Sequence, residues 1–124
     1  MEYVLIALQL IVALSLLNVW LIQSGKPTKW RGGNAKNIVE EFKVYGLPIW
    51  MCYLIGILKV AGALMLIAAI WIPEVLKPAA IGLAVLLFGS IIMHFKIKDP
   101  LYKSFPAFMF LLICLFLAFH EQFV

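Results

Sequence analysis

The chain has 124 residues, 65% of them apolar and 13% charged, with a formal net charge of +4. Soluble globular domains run nearer half apolar and a quarter charged, so that class is excluded, and the length suits one domain. The basic excess lies in loops and suits anionic lipid headgroups; no RNA- or DNA-binding motif is present, so no nucleic-acid partner is expected.

Four apolar stretches dominate: Tyr3 to Ile22, Ile49 to Ile72, Pro78 to Phe95 and Phe105 to Phe119. A helix needs about 20 apolar residues to cross a bilayer of roughly 30 Å. The expected helices cover about 3–22, 48–72, 78–95 and 104–120. The expected fold is all-α: an integral membrane, antiparallel four-helix bundle, with residues 1–124 forming a single transmembrane domain.

The first span lacks a basic leader, since Glu2 is the only charged side chain before Lys26. Asn18, Trp20 and Gln23 stand where small residues would mark a cleavage site, so the span reads as a permanent helix. Ser15 and Asn18, three apart, share a helix face. Gln9 lies nearly opposite Asn18, so at most one of these two reaches a central pocket without tilting. Helix–helix hydrogen bonding and ligand contact are both open to them.

Loop 23–47 is the sizeable polar segment. "SGKPTKWRGGNAKN" reads as irregular. "NIVEEFKVY" then places Ile38, Phe42 and Tyr45 at i, i+4 and i+7, the pattern of a short amphipathic helix at the membrane interface before the second span. "GLPIW" ends it, with Pro48 near the first turn of the next helix.

The second span contains Lys59, roughly midway along it. A lysine at the centre of a membrane helix costs about 2.5–3.5 kcal/mol. It lies some 15 Å from either edge, too deep for snorkelling. Every Asp and Glu falls in a loop or at a terminus. Three options follow: a neutral amine, hydrogen bonds to neutral groups such as Gln9 and Ser15, or an acid or carbonyl outside the chain, in a ligand or another membrane protein. Cys52, Gly56, Lys59 and Ala63 follow i, i+4, i+7, i+11 spacing, a stripe of small residues and the lysine that should face inward.

Pro73 and Pro78 bracket the next turn. The third span carries Gly82 and Gly89, expected to pack on neighbouring helices, and ends with Ser90 and His94, an i, i+4 pair. His94 reads either as an interfacial histidine or as a proton-handling or ligand group. "KIKDP" turns the chain, and "KSFPA" opens the fourth span with Ser104 as its expected N-cap. Cys52 and Cys114 lie at different depths and read as free buried thiols. His94 and His120 fall at opposite membrane faces, so no metal site is expected, and no catalytic residue is assigned.

Lys26, Lys29, Arg31, Lys36 and Lys43 occupy the first loop, and Lys96, Lys98 and Lys103 the third; Lys77 stands alone on the other side. The positive-inside rule then puts loops 23–47 and 96–103 in the cytoplasm and both termini outside.

"VYGLPIWMCYLIGILKVAGALMLI" and "LKPAAIGLAVLLFGSIIMHFKIKDPLYKSFPA" resemble the DoxX-like family of small four-helix membrane proteins. The resemblance rests on Gly46-Leu47-Pro48, on Gly56, Lys59 and Gly62, on Gly82 and Gly89-Ser90, on His94 with Asp99-Pro100, and on Pro106-Ala107. It implies the fold and the membrane location, and it singles out Lys59, His94 and Asp99. The family takes its name from a subunit of a thiosulfate:quinone oxidoreductase; other members are linked to oxidative or thiol stress, and a vertebrate branch resembles receptor-assembly chaperones. No soluble catalytic domain is expected in these 124 residues, which argues against a self-contained thiosulfate-oxidising enzyme.

The expected function is a small redox-associated or quinone- or lipid-binding membrane subunit. Its ligand or partner set would be Lys59, Asn18, Ser15, Gln9, Ser90, His94 and Asp99. No cofactor is assigned outright; a quinone or a lipid is the molecule whose polar head suits the lysine. The alternative is a membrane-protein assembly factor that docks through its helices. The partners are then the lipid bilayer, with another membrane protein or a second copy of the chain.

Overall fold

A computed structural model describes residues 2–22, 25–26 and 31–120; Gln23 and Lys29 lie outside that set. Among the described residues five α-helices follow in order: α1 (Glu2–Leu17), α2 (Ile38–Val44), α3 (Ile49–Ala68), α4 (Leu76–Lys96) and α5 (Phe105–Phe119). No strand occurs among the described residues. Among the described residues, four segments are long and apolar enough to cross a membrane: Glu2–Ile22, Ile49–Ala68, Pro73–Lys96 and Leu101–Phe119. The chain is an all-α membrane bundle.

The long helices close a ring in which α1 packs on α3, α3 on α4, α4 on α5 and α5 on α1. The core is built from Val12, Leu16, Leu66, Leu83, Leu87 and Leu117, with alanines at the contacts: Ala13, Ala63, Ala80 and Ala84. Small residues let membrane helices approach closely, because packing replaces the hydrophobic effect as the force between them. Leu14, Ile57, Val85 and Leu112 point outward and are exposed. Such a belt is a liability in water and is solvated by hydrocarbon in a bilayer.

The boundaries shift for local reasons. The last turn of the first span widens into a π-helix over Asn18–Ile22. α3 stops at Ala68 rather than near Ile72, because Pro73 disfavours helical geometry at Ile72, which sits at φ −123° and ψ 81°. α4 starts at Leu76, with Pro78 in its first turn. The buried face of α3 is Cys52, Gly56, Lys59, Ala63 and Leu66, which includes the whole expected stripe. On α4 the buried face is instead Ala80, Ala84, Leu87, Ile91 and His94. Gly82 and Gly89 have open space where a Cβ would stand, so these glycines are not the packing stripe. Ser104 precedes α5 but does not cap it. It closes a 3-10 turn at φ −85° and ψ −8°, outside the extended region a capping side chain needs, and its hydroxyl is buried without a hydrogen bond.

Two helix ends share one design. α2 begins with Asn37, whose side chain accepts from the Glu40 N–H at 2.9 Å. It ends with Gly46 at φ 80°, where Gly46 N–H bonds Lys43 O and Leu47 N–H bonds Phe42 O. This paired pattern is the Schellman motif, which needs a left-handed residue. α4 ends in the same way: Lys98 N–H bonds Phe95 O and Asp99 N–H bonds His94 O. Here the left-handed residue is Lys98, at φ 57°. A Cβ in that region costs about 1–2 kcal/mol. Lys98→Gly is therefore expected to stabilise the protein by about 1 kcal/mol. Thermal unfolding in detergent should show a higher midpoint for Lys98→Gly and none for Lys98→Ala.

Candidate functional site

One end of the bundle holds a cavity of about 720 Å³. Its lower wall comes from α1, α3 and α4, and its roof from loop one, α2 and the start of α5. Ser15, Asn18, Lys59, Ser90 and His94 line it, together with Arg31, Glu41, Tyr45 and Lys103. Gln9 does not line it. Of the two opposed polar residues on the first span, Asn18 is the one that reaches the cavity.

At the base, Lys59 is 7% exposed. Its Nζ donates to Ser90 Oγ at 2.9 Å, and Ser90 Oγ in turn donates to Leu86 O at 3.3 Å. Nζ also stands 5.6 Å from the centre of the Trp20 ring, within cation–π range. The neutral partner of the lysine is therefore on α4, not Gln9 or Ser15 on α1. Among the described residues no carboxylate forms an ion pair with it. Gln9 is used elsewhere: its Nε2 donates to Leu66 O at 3.0 Å. Leu66 lies in the last turn of α3, where the Ile70 N–H bonds Ile67 O instead of Leu66 O, so Gln9 takes the Leu66 carbonyl and ties α1 to that end.

This end of the cavity is closed by a chain of buried polar groups. Asp99 Oδ2 accepts from His94 Nδ1 at 2.7 Å. The same carboxylate accepts from Gly33 N–H at 3.0 Å and lies 3.8 Å from Lys103 Nζ. Lys103 also donates to Gly33 O at 2.7 Å, so Gly33 is held from both sides. Gly33 sits at φ 55°, and a Cβ there would lie 2.9 Å from Val44, so glycine is required. An ionised carboxylate can only accept; the pair therefore puts a proton on Nδ1 and turns Nε2 towards Tyr45, whose hydroxyl is 3.4 Å away. Tyr45 donates to Glu41 Oε1, and Arg31 Nη1 pairs with Glu41 Oε2 at 3.2 Å. Lys96 donates to Tyr45 O at 2.9 Å, a cation placed at the C-terminus of α2. Loops one and three are thus bonded to each other at one end of the bundle.

Asp99 is buried beside His94 because of the Schellman turn, which folds the residue after Lys98 back onto its own helix end. Sequence spacing alone pairs Ser90 with His94; it does not show that Asp99, Glu41, Arg31 and Tyr45 join them. Trp20, Arg31, Glu41, Tyr45 and Lys103 were missed as site residues. A signal did exist for Tyr45, on the apolar face of the amphipathic helix with a hydroxyl needing a partner. The described residues contain no cluster able to hold a metal ion, and both cysteines are free.

The family model described as DoxX-like matches residues 26–117. The chain belongs to the DoxX-like family. A relative from Bacillus subtilis (strain 168), described as uncharacterized protein YdgD, is 32% identical over 76 residues, which cover 60% of this chain and 67% of the relative. No solved structure matches the chain. With four apolar spans and this family, the protein is a multi-pass membrane protein in a lipid bilayer. In this DoxX-like chain the matched region contains Lys59, Ser90, His94 and Asp99, while Ser15, Asn18 and Trp20 precede it.

Two predictions follow from this network. Asp99→Ala leaves three donors facing a buried site without their carboxylate, and breaking such a set costs about 3–5 kcal/mol. The variant should unfold at a clearly lower denaturant or temperature midpoint than wild type. Burial holds the Tyr45 phenol well above the usual tyrosine range, and the Glu41 carboxylate beside it pushes the same way. A group raised in the folded state contributes its stability in full below its unfolded value, near 10, and loses it as pH rises beyond that. Alkaline difference absorbance should show no ionisation from Tyr45 until the protein unfolds. Tyr45→Phe should leave the folded-state titration amplitude unchanged.

Proposed function

We propose that this DoxX-like protein is a small membrane subunit that binds the polar head of an apolar molecule, a quinone or a lipid, at Lys59. The observation that supports this reading most is the position of the lysine. It is buried at the base of a largely apolar cavity, with a hydroxyl and an aromatic face as its neighbours. An ammonium has three N–H donors and Ser90 accepts one of them. A head carrying a carbonyl or an anionic oxygen fits the remaining donors. Redox association is the extension of this reading if the head is a quinone: His94 and Tyr45, joined to Glu41, would then face the same cavity as a hydrogen-bonded route for protons.

Orientation is part of the proposal. The lysine and arginine asymmetry favours loops 23–47 and 96–103 in the cytoplasm, with both termini outside. The alternative, a chaperone-like assembly factor that docks through Lys59, fits less well with a lysine enclosed by its own bundle.

The test is Lys59→Met, close in volume and uncharged. A charge-assisted hydrogen bond contributes about 1.5–3 kcal/mol, so quinone or lipid binding should weaken by about ten- to a hundredfold. Co-purified lipid and quinone, extracted from wild type and variant and measured by mass spectrometry, should drop together. Equal content in both proteins would refute the head-binding role of Lys59.

A further inference from the structure

A second space adjoins the first. It is a groove of about 810 Å³ on the outer side of α3, closed at one end by α2. Asn37, Glu40 and Lys43 stand at its polar end, and Ile57, Ala61 and Leu64 line its depth. From Tyr53 to Leu64 it runs about 16 Å along the helix. Ile57, Ala61 and Leu64 are exposed on a membrane-spanning helix, so the groove opens to hydrocarbon.

Trp20 and Ile38 line both this groove and the inner cavity, and so stand between them. The Trp20 ring lies against Gly56: a Cβ there would be 2.7 Å from Cε3. Lys59 Nζ approaches the same ring from the cavity. Trp20 sits in the π-helical turn Asn18–Ile22, a feature that frequently marks functional sites. Trp20, with Gly56 beneath its ring, is therefore the part of the partition that lies between the apolar groove and the cation, and Ile38 completes it.

The charges indicate which head suits the inner space. Arg31 pairs with Glu41, and Lys103 and His94 share Asp99. Among the described residues, Lys59 is the lysine or arginine lining the cavity that has no carboxylate within ion-pair distance. One negative charge is what completes the set.

We propose that the groove is the tail subsite of the ligand whose head lies at Lys59. That ligand is an amphiphile with one anionic head and a single hydrocarbon chain, and its head enters from the bilayer past Trp20. The proposal rests on the head-binding reading of Lys59 given above. Chain length then sets affinity. Removing a methylene from water is worth about fourfold, and part of that is already gained in lipid, so about tenfold between a short and a long chain is expected overall.

The experiment uses the protein in nanodiscs of zwitterionic lipid, with spin-labelled stearate as the probe and octanoate and palmitate as competitors. Electron spin resonance reads the motionally restricted fraction. In wild type, with each competitor counted as its mole fraction in the bilayer, palmitate should displace the probe about tenfold more effectively than octanoate. Ala61→Trp fills the groove from its exposed side without entering the core. It should abolish the palmitate advantage and leave octanoate competition at its wild-type level. Lys59→Met should lose both. A palmitate advantage that survives in Ala61→Trp would overturn the tail subsite, the lipid around the protein being its only source, and would leave the head reading standing. Octanoate competition that survives in Lys59→Met would overturn the head reading and this proposal with it.

Discussion

The Asp99 carboxylate is the point on which the cavity depends. It is nearly fully buried and accepts from the His94 ring and the Gly33 backbone, with Lys103 alongside. Those partners come from α4, loop one and the approach to α5. One acid therefore fixes the loop that forms the roof to the helices that form the walls. Its position is set by the strained turn at Lys98, which returns the chain to the end of α4. A buried carboxylate persists only when its lone pairs are used, and the donors around Asp99 use them.

Lys59 poses the opposite problem, a buried cation without a carboxylate among its described partners. Its cost of about 2.5–3.5 kcal/mol at the membrane centre is offset by a hydrogen bond to Ser90 of about 1.5–3 kcal/mol. The Trp20 face adds about 0.5–2 kcal/mol. These terms come close to balance, so the lysine is tolerated without an acid on a second chain. The lysine still lines the cavity. The same small residues that let helices meet also make room for this arrangement: Gly56 admits the Trp20 ring above the lysine.

Much of this protein was legible in the sequence. The apolar stretches located the spans, because hydrocarbon imposes a length and a composition on any helix that crosses it. The spacing of Cys52, Gly56, Lys59 and Ala63 identified the inward face of α3, since every fourth residue on average returns to one side. The placement of Ser90 and His94 one turn apart showed that they share a face. The glycines of the third span were misleading: composition marks Gly82 and Gly89 as close-packing residues, yet alanines hold that interface and the glycines face open space. The N-cap expected at Ser104 failed because the backbone enters α5 through a 3-10 turn.

Composition and periodicity, which act within about one helical turn, thus determined the class of protein, its spans and the depth of the lysine. The partners of that lysine were a different matter. Ser90 lies 31 residues away from it and Gly33 lies 66 from Asp99. No local pattern specifies such pairs. They exist because helices of similar length pack in one particular order and rotation, and because two loops meet at the same end. Only the tertiary structure could decide that Lys59 faces a serine and an indole, and that Asp99, His94, Tyr45 and Glu41 form one connected roof above it.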